Sequence, residues 1–170
     1  NIKFFTQFIR ELTTYMLGKA EIVIGDNVTK IEYDVFNNCA SLEAVYITDI
    51  AKWCEIDFYG GYSNPLRYAK NLYLNNELVT DLVIPNSVTE IHIGAFQDCI
   101  SLETFTIPSS VQRIAEKVFY NTAYYNNKNN WNNDVLYKDN CLLVADTNIS
   151  GKCSILDNTR LIATNAFIAC

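Results

Sequence analysis

Two stretches of the chain carry the same order of apolar and polar positions. Ile22–Ile47 reads IVIGDNVTKIEYDVFNNCASLEAVYI, Leu82–Ile107 reads LVIPNSVTEIHIGAFQDCISLETFTI, and the two align without a gap at an offset of sixty. A third copy starts at Ile107, twenty-three residues after Ile84, and a fourth, CSILDNTRLIATNAFIAC, runs from Cys153 to Cys170. A period in the twenties marks an array of stacked turns, in which no copy buries its own apolar face and each is a wall for the next.

Each column of the repeat predicts a local structure. Ile22, Leu82 and Phe105, with Ile24, Ile84, Ile107 and Ile155, read as a short strand with one face inward. The small polar pairs Asp26-Asn27, Asn86-Ser87, Ser109-Ser110 and Asp157-Asn158 read as turns, and Pro85 and Pro108 end the strand before two of them. The column Ile31, Ile91, Ile114 and Ile162 follows, then the column Phe36, Phe96, Phe119 and Phe167, then Cys39, Cys99 and Cys170. The phenylalanines are expected to form one buried column. If Ile22 and Ile24 point inward, Glu21 and Val23 point outward. The same step gives Ala44 and Tyr46, Asp81 and Val83, Thr104 and Thr106, and Lys152 and Ser154 as the exposed face.

Two turns are longer. The first insert predicts a short helix around Ile50–Glu55, a turn at Gly60-Gly61, a helical turn near Pro65–Ala69 and a hairpin across Asn75-Asn76, residues that tolerate positive φ. The second contains AYYNNKNNWNND and a further hairpin in DVLYKDNCLLVAD. The expected organisation is an N-terminal helix or cap over 1–20 and an array over 21–170. Its units are 21–46, 47–83 (extended), 84–106, 107–152 (extended) and 153–170 (truncated). Phe4, Phe5, Phe8, Ile9, Leu12, Tyr15 and Met16 fall at helical spacing, which predicts an amphipathic helix over 3–17 ended by Gly18. Arg10 and Glu11 interrupt any signal-peptide core. A start without Met and a stop in mid-motif make a fragment of a longer protein the expectation.

Composition narrows the partners. The chain has 170 residues, 49% of them apolar, and a formal charge of −6. Its thirteen basic residues are scattered, so nucleic acid and anionic membrane surfaces, which require clustered Lys and Arg, are not expected partners. No apolar stretch approaches the ~20 residues of a membrane span, and no insertion is expected.

The sequence IPNSVTEIHIGAFQDCISLETFTIPSSV resembles the BspA-like, or treponemal-type, leucine-rich-repeat family, and the resemblance covers about residues 21–170. VYITDIAKWCEIDF followed by LYLNNELVTDLVIP resembles an inserted unit of that family. Gly25 and Leu156 stand in place of its Pro, Thr122 in place of its Cys, and His92 in place of its usual Gly. The resemblance implies a strand-rich α/β leucine-rich-repeat solenoid, with short parallel strands and short helical or 3₁₀ connections. It also implies an extracellular or cell-surface protein of a host-associated microbe, acting as an adhesin or protein-binding module.

Candidate chemistry is sparse. His92 is the sole histidine and sits in a repeat position, with no nucleophile-elbow pattern in the chain. No Gly-rich phosphate loop, metal-ligand spacing or cofactor motif occurs, so an enzyme, a metal and a cofactor are not expected. Cys39, Cys99 and Cys170 read as small buried residues of one column, and Cys54, beside Trp53, as packed too. Cys141 and Cys153 flank a turn, and a disulfide between neighbouring strands is one reading of them. The candidate partner-binding residues are Tyr46, Val83 and Thr106 on the sheet face, and Tyr124, Tyr125 and Trp131 in the Asn-rich loop. The preferred reading of those loop aromatics is that they pack back on the edge of the array; the alternative is protein contact or stacking on sugars, which Tyr, Trp and Asn suit. The expected role is protein interaction or adhesion. A carbohydrate-binding or scaffolding accessory module of a larger secreted protein is the alternative.

Overall fold

The computed structural model describes residues 19–60 and 62–168. The helix expected over 3–17, Gly61 and Cys170 lie outside the described residues.

The first insert is built as its pattern predicts. Asp49 caps helix α1 (Ile50–Cys54) by accepting from the backbone N–H groups of Ala51 and Lys52. Helix α2 (Leu66–Ala69) follows Pro65 and stops at Lys70, which takes the left-handed conformation at φ 63°.

Strand pairing then shows what the insert does. Strand β1 (Ala20–Val23) pairs in parallel with β3 (Leu42–Ile47), β3 pairs in parallel with β5 (Leu72–Leu74), and β5 turns back on β6 (Glu77–Leu78). At a second place in each turn, β2 (Lys30–Ile31) pairs in parallel with β4 (Asp57–Phe58). The insert therefore supplies one strand to each parallel ladder, as a full repeat does, and adds a hairpin. Asn75 and Asn76 at its tip have φ 51° and 71°.

The second half repeats the scheme. Strand β7 (Asp81–Val83) pairs in parallel with β9 (Thr104–Thr106), and β8 (Glu90–Ile91) with β10 (Arg113–Ile114). The Asn-rich loop folds as helix α3 (Ala123–Asn126), a 3₁₀ turn (Lys128–Asn130) and β11 (Trp131–Asn132). The hairpin of β12 (Val135–Lys138) and β13 (Cys141–Ala145) follows, and β13 pairs in parallel with β14 (Leu161–Ile162).

Between the two ladder positions the backbone turns on left-handed residues that recur with the repeat. Asp34, Gly94, Lys117 and Asn165 have φ of 58°, 63°, 58° and 59°, and Asn38, Asp98 and Asn121 have φ of 62°, 65° and 57°. Asn and Asp tolerate this region, Gly prefers it, and Lys117 is the costly member. Turn hydrogen bonds recur in step: Val28 to Gly25, Val88 to Pro85, Val111 to Pro108 and Thr159 to Leu156.

The main core is a cluster of inward aliphatic and aromatic columns, including Ile22, Ile24, Ile31, Leu82, Ile84, Ile91 and Ile114. Each such side chain contributes roughly 1.5–3 kcal/mol when fully buried. The phenylalanine column is shorter than its spacing predicts. Phe36, Phe96 and Phe119 are buried, whereas Phe167 is half-buried in a smaller cluster with Val135, Leu142 and Ala145. Phe96 and Phe119 stack at 5.7 Å. The backbone bond that Phe96 N–H makes to Val118 is made by Phe36 N–H to Tyr62, so Ser63 stands beside Phe36 where Phe119 stands beside Phe96. The insert interrupts the column, and Trp53, packed edge-on against Phe58, brings aromatic volume there.

The fourth copy departs further. Residues 152–155 form no strand, Ile155 is 40% exposed and Ile162 is 47% exposed. Lys152 and Ser154 are exposed but extend no sheet face.

Candidate interaction surface

The outward residues of β1, β3, β5 and β6 lie in register. Val23 is opposite Tyr46, Tyr46 opposite Tyr73, and Tyr73 opposite Leu78, so the four form a row across all four strands. Val23 is 69% and Leu78 is 42% exposed, and the two tyrosines between them are half-buried. The tyrosine rings stack at 4.7 Å with 22° between planes. Tyr46 Oη donates to Glu21 Oε1 at 3.4 Å. Partial burial, and then the charge of Glu21, push the Tyr46 phenol above its ordinary value.

A bulge shapes this face. Ala20 is opposite Leu42 but Glu21 is opposite Ala44, so β3 carries Glu43 as an extra residue. Glu43 pairs with Lys19 at 2.9 Å on the surface. Ala44, expected to be exposed, is buried at 4% outside the main core cluster, because a methyl group is sunk among the longer side chains of this face.

On the other parallel pair, Val83 is opposite Thr106 and Asp81 opposite Thr104. Val83 is 69% exposed, the same as Val23 sixty residues earlier, and Thr106 and Asp81 are exposed. Thr104 is half-buried and its hydroxyl accepts from Lys138 Nζ at 3.2 Å.

The loop candidates are placed differently. Tyr124 is buried, as the reading that packs the loop aromatics back on the array expects and against its place among the partner-binding candidates. Thr122 caps α3 through its side chain, and the first turn directs Tyr124 edge-on against Phe105 at 4.8 Å while its hydroxyl donates to the carbonyl of Tyr137 at 2.8 Å. Tyr125 and Trp131 are half-buried and meet edge to face at 5.2 Å. Trp131 Nε1 donates to the carbonyl of Tyr125 at 2.7 Å, and Lys128 Nζ lies 4.2 Å from the indole centre. These aromatics are tied to the array and to each other. Tyr73 and Leu78 were not among the sequence candidates, and Val23 was assigned to the outward face but not to the partner-binding set. The alternation of Leu72-Tyr73-Leu74 was the available signal, but its register against β3 was not legible.

His92 Nδ1 lies 2.7 Å from Asp57 Oδ1 and its Nε2 lies 3.9 Å from Glu90, so its charged partners are carboxylates of the strands beside it. Among the described residues no group of three or more His, Cys, Asp or Glu is placed to hold a metal ion. Cys141 lies buried on β13 opposite Leu161, whereas Cys153 is exposed outside any strand; the two are not strand neighbours and both are thiols. A pocket of about 320 Å³ opens between the third and fourth copies, lined by Phe119, Tyr125, Leu136, Leu143 and Ile168. No helix among the described residues is long and apolar enough to cross a membrane.

A family model described as a BspA type leucine rich repeat region matches this chain in six copies, over residues 12–62 and 68–170. No curated protein matches it. A solved structure of a leucine-rich cell surface protein from Faecalibacterium prausnitzii A2-165 is similar at 24% sequence identity and a TM-score of 0.36. The similarity covers 92% of this chain and 38% of that one, so this chain spans well under half the length of that protein.

Proposed function

The chain belongs to the BspA-type leucine-rich-repeat family, and on that premise we propose that it is a non-catalytic protein-interaction or adhesion module of a secreted or cell-surface microbial protein. One observation carries this reading. Val23 and Val83 occupy the same repeat position on the outward sheet face, and each is 69% exposed. Repeat arrays bind partners through such extended faces. Apolar residues beside Tyr46 and Thr106, with a scatter of charges, suit a protein surface more than a polyanion.

The carbohydrate reading has less support. Sugar stacking uses an open aromatic face, and Lys128 lies over the Trp131 ring, which also meets Tyr125 edge to face. The test is cross-linking of the chain to proteins of its natural surroundings, with cross-links mapped by mass spectrometry. Tyr46→Ala with Val83→Ser is expected to weaken capture more than Tyr125→Ala with Trp131→Ala. Equal capture by the wild type and the first double variant would remove the sheet face from consideration.

A further inference from the structure

The four-strand row changes what the sheet face can hold. Val23, Tyr46, Tyr73 and Leu78 come from residues up to fifty-five positions apart, yet strand register sets them side by side. Neighbouring strands lie about 4.8 Å apart, so the row runs about 14 Å across the sheet. That is the reach of roughly four residues of extended chain. The row is apolar at both exposed ends and aromatic between.

Its surroundings are acidic. Glu21 stands beside Tyr46 on the same face and holds its hydroxyl, and Glu43 projects from the bulge. Lys19 is paired with Glu43, which leaves Glu21 as the carboxylate that no salt bridge among the described residues neutralises. The chain as a whole carries a formal charge of −6. An apolar strip edged by carboxylates complements a segment that alternates apolar side chains with Lys or Arg. The stacked tyrosines cover each other's inner faces at 4.7 Å, which disfavours a sugar ring and leaves their edges and hydroxyls for a peptide.

We infer that the row Val23–Tyr46–Tyr73–Leu78, with Glu21 at its side, is the docking strip for a short extended protein segment bearing apolar side chains next to basic ones. This rests on the proposed protein-binding role of the sheet face. It adds two residues of the inserted unit, Tyr73 and Leu78, and a charge sign for the partner.

The test uses a displayed library of randomised hexapeptides selected on the 170-residue chain. Enriched sequences are expected to place Lys or Arg beside Leu, Val or an aromatic residue. A synthetic peptide of the enriched sequence should bind at least tenfold more weakly to Val23→Ser with Leu78→Ser, two exposed positions whose change leaves the core intact. It should also bind more weakly to Glu21→Lys and in raised salt. Absence of enrichment, enrichment of acidic sequences, or equal binding by wild type and the double variant overturns the inference. Binding lost in Val83→Ser but untouched by Val23→Ser with Leu78→Ser would sink the row and leave the sheet-face role standing. Binding untouched by all of them would sink both. Glycan-array binding that depends on Leu78 would replace the peptide with a sugar.

Discussion

Trp53 donates its indole N–H to the carbonyl of Ala95, 2.9 Å away and forty-two residues later in the chain. Trp53 is 1% and Ala95 0% exposed, so helix α1 of the insert is bonded inside the core to the turn that carries Phe96. Trp53→Ala is expected to destabilise the chain by about 3–5 kcal/mol through the cavity it leaves. Trp53→Phe should cost less, about 1–3 kcal/mol, because part of the volume remains while the Ala95 carbonyl keeps only the long bond from Asn64 Nδ2 at 3.4 Å. Urea unfolding followed by circular dichroism measures both, and an unchanged midpoint in Trp53→Ala would show that the insert does not share the core.

Phe96 lies against Phe119, whereas its neighbour Gln97 is half-buried and outside the core cluster. Phe96→Ala is expected to cost about 3–5 kcal/mol and Gln97→Ala to stay within about ±0.5 kcal/mol. The contrast between adjacent residues tests the inward column directly by the same unfolding experiment.

Lys117 and Gly94 hold the same left-handed place in successive copies, at φ 58° and 63°. An L-residue pays about 1–2 kcal/mol there and Gly does not. Gly returns some of that gain through backbone entropy, about 0.5–1 kcal/mol. Exposed Lys117→Gly is therefore expected to be neutral or to raise stability by up to about 1 kcal/mol. Gly94→Val should lower it by more, since even a Cβ at Gly94 would sit 3.3 Å from Gln97 Oε1 and a branched residue tolerates this φ poorly. A loss of stability in Lys117→Gly larger than 1 kcal/mol would contradict the assignment of this turn.

Burial pushes the thiols of Cys54, Cys99 and Cys141 up, so at neutral pH they hold less of the reactive thiolate than an ordinary cysteine, while Cys153 is exposed. Brief iodoacetamide labelling of the native chain, read by peptide mapping, is expected to modify Cys153 well before those three. Raising the pH to about 9 should leave the buried three slow, since their ionisation lies higher and access is closed. A peptide linking Cys141 to Cys153 is not expected under non-reducing conditions.

Much of the fold was legible because stacked repeats write their contacts as period. The inward columns at Ile22, Ile84, Ile91 and Phe96 follow from which positions recur, and burial needs no more than that. The hairpin at Asn75-Asn76 followed from residues that accept positive φ. The exposure of Ile155 and Ile162 was not legible, because a column position buries a side chain only where packing covers it, and residues 152–155 form no strand.

The outward face was legible strand by strand, with Ala44 the exception. Alternation along a strand states which side chains point out, and so Val23, Tyr46, Val83 and Thr106 were assignable one strand at a time. Only the tertiary structure decided which outward residues meet. Tyr46 touches Tyr73 because the insert supplies β5 at the next ladder position, a pairing between residues twenty-seven apart that no local pattern encodes. The same holds for Tyr124, whose polar loop reads as surface but whose ring finds Phe105 once α3 is capped and folded back. Local periodicity sets orientation within an element; register between elements is set by long-range burial and hydrogen bonding, and the docking strip is a product of register.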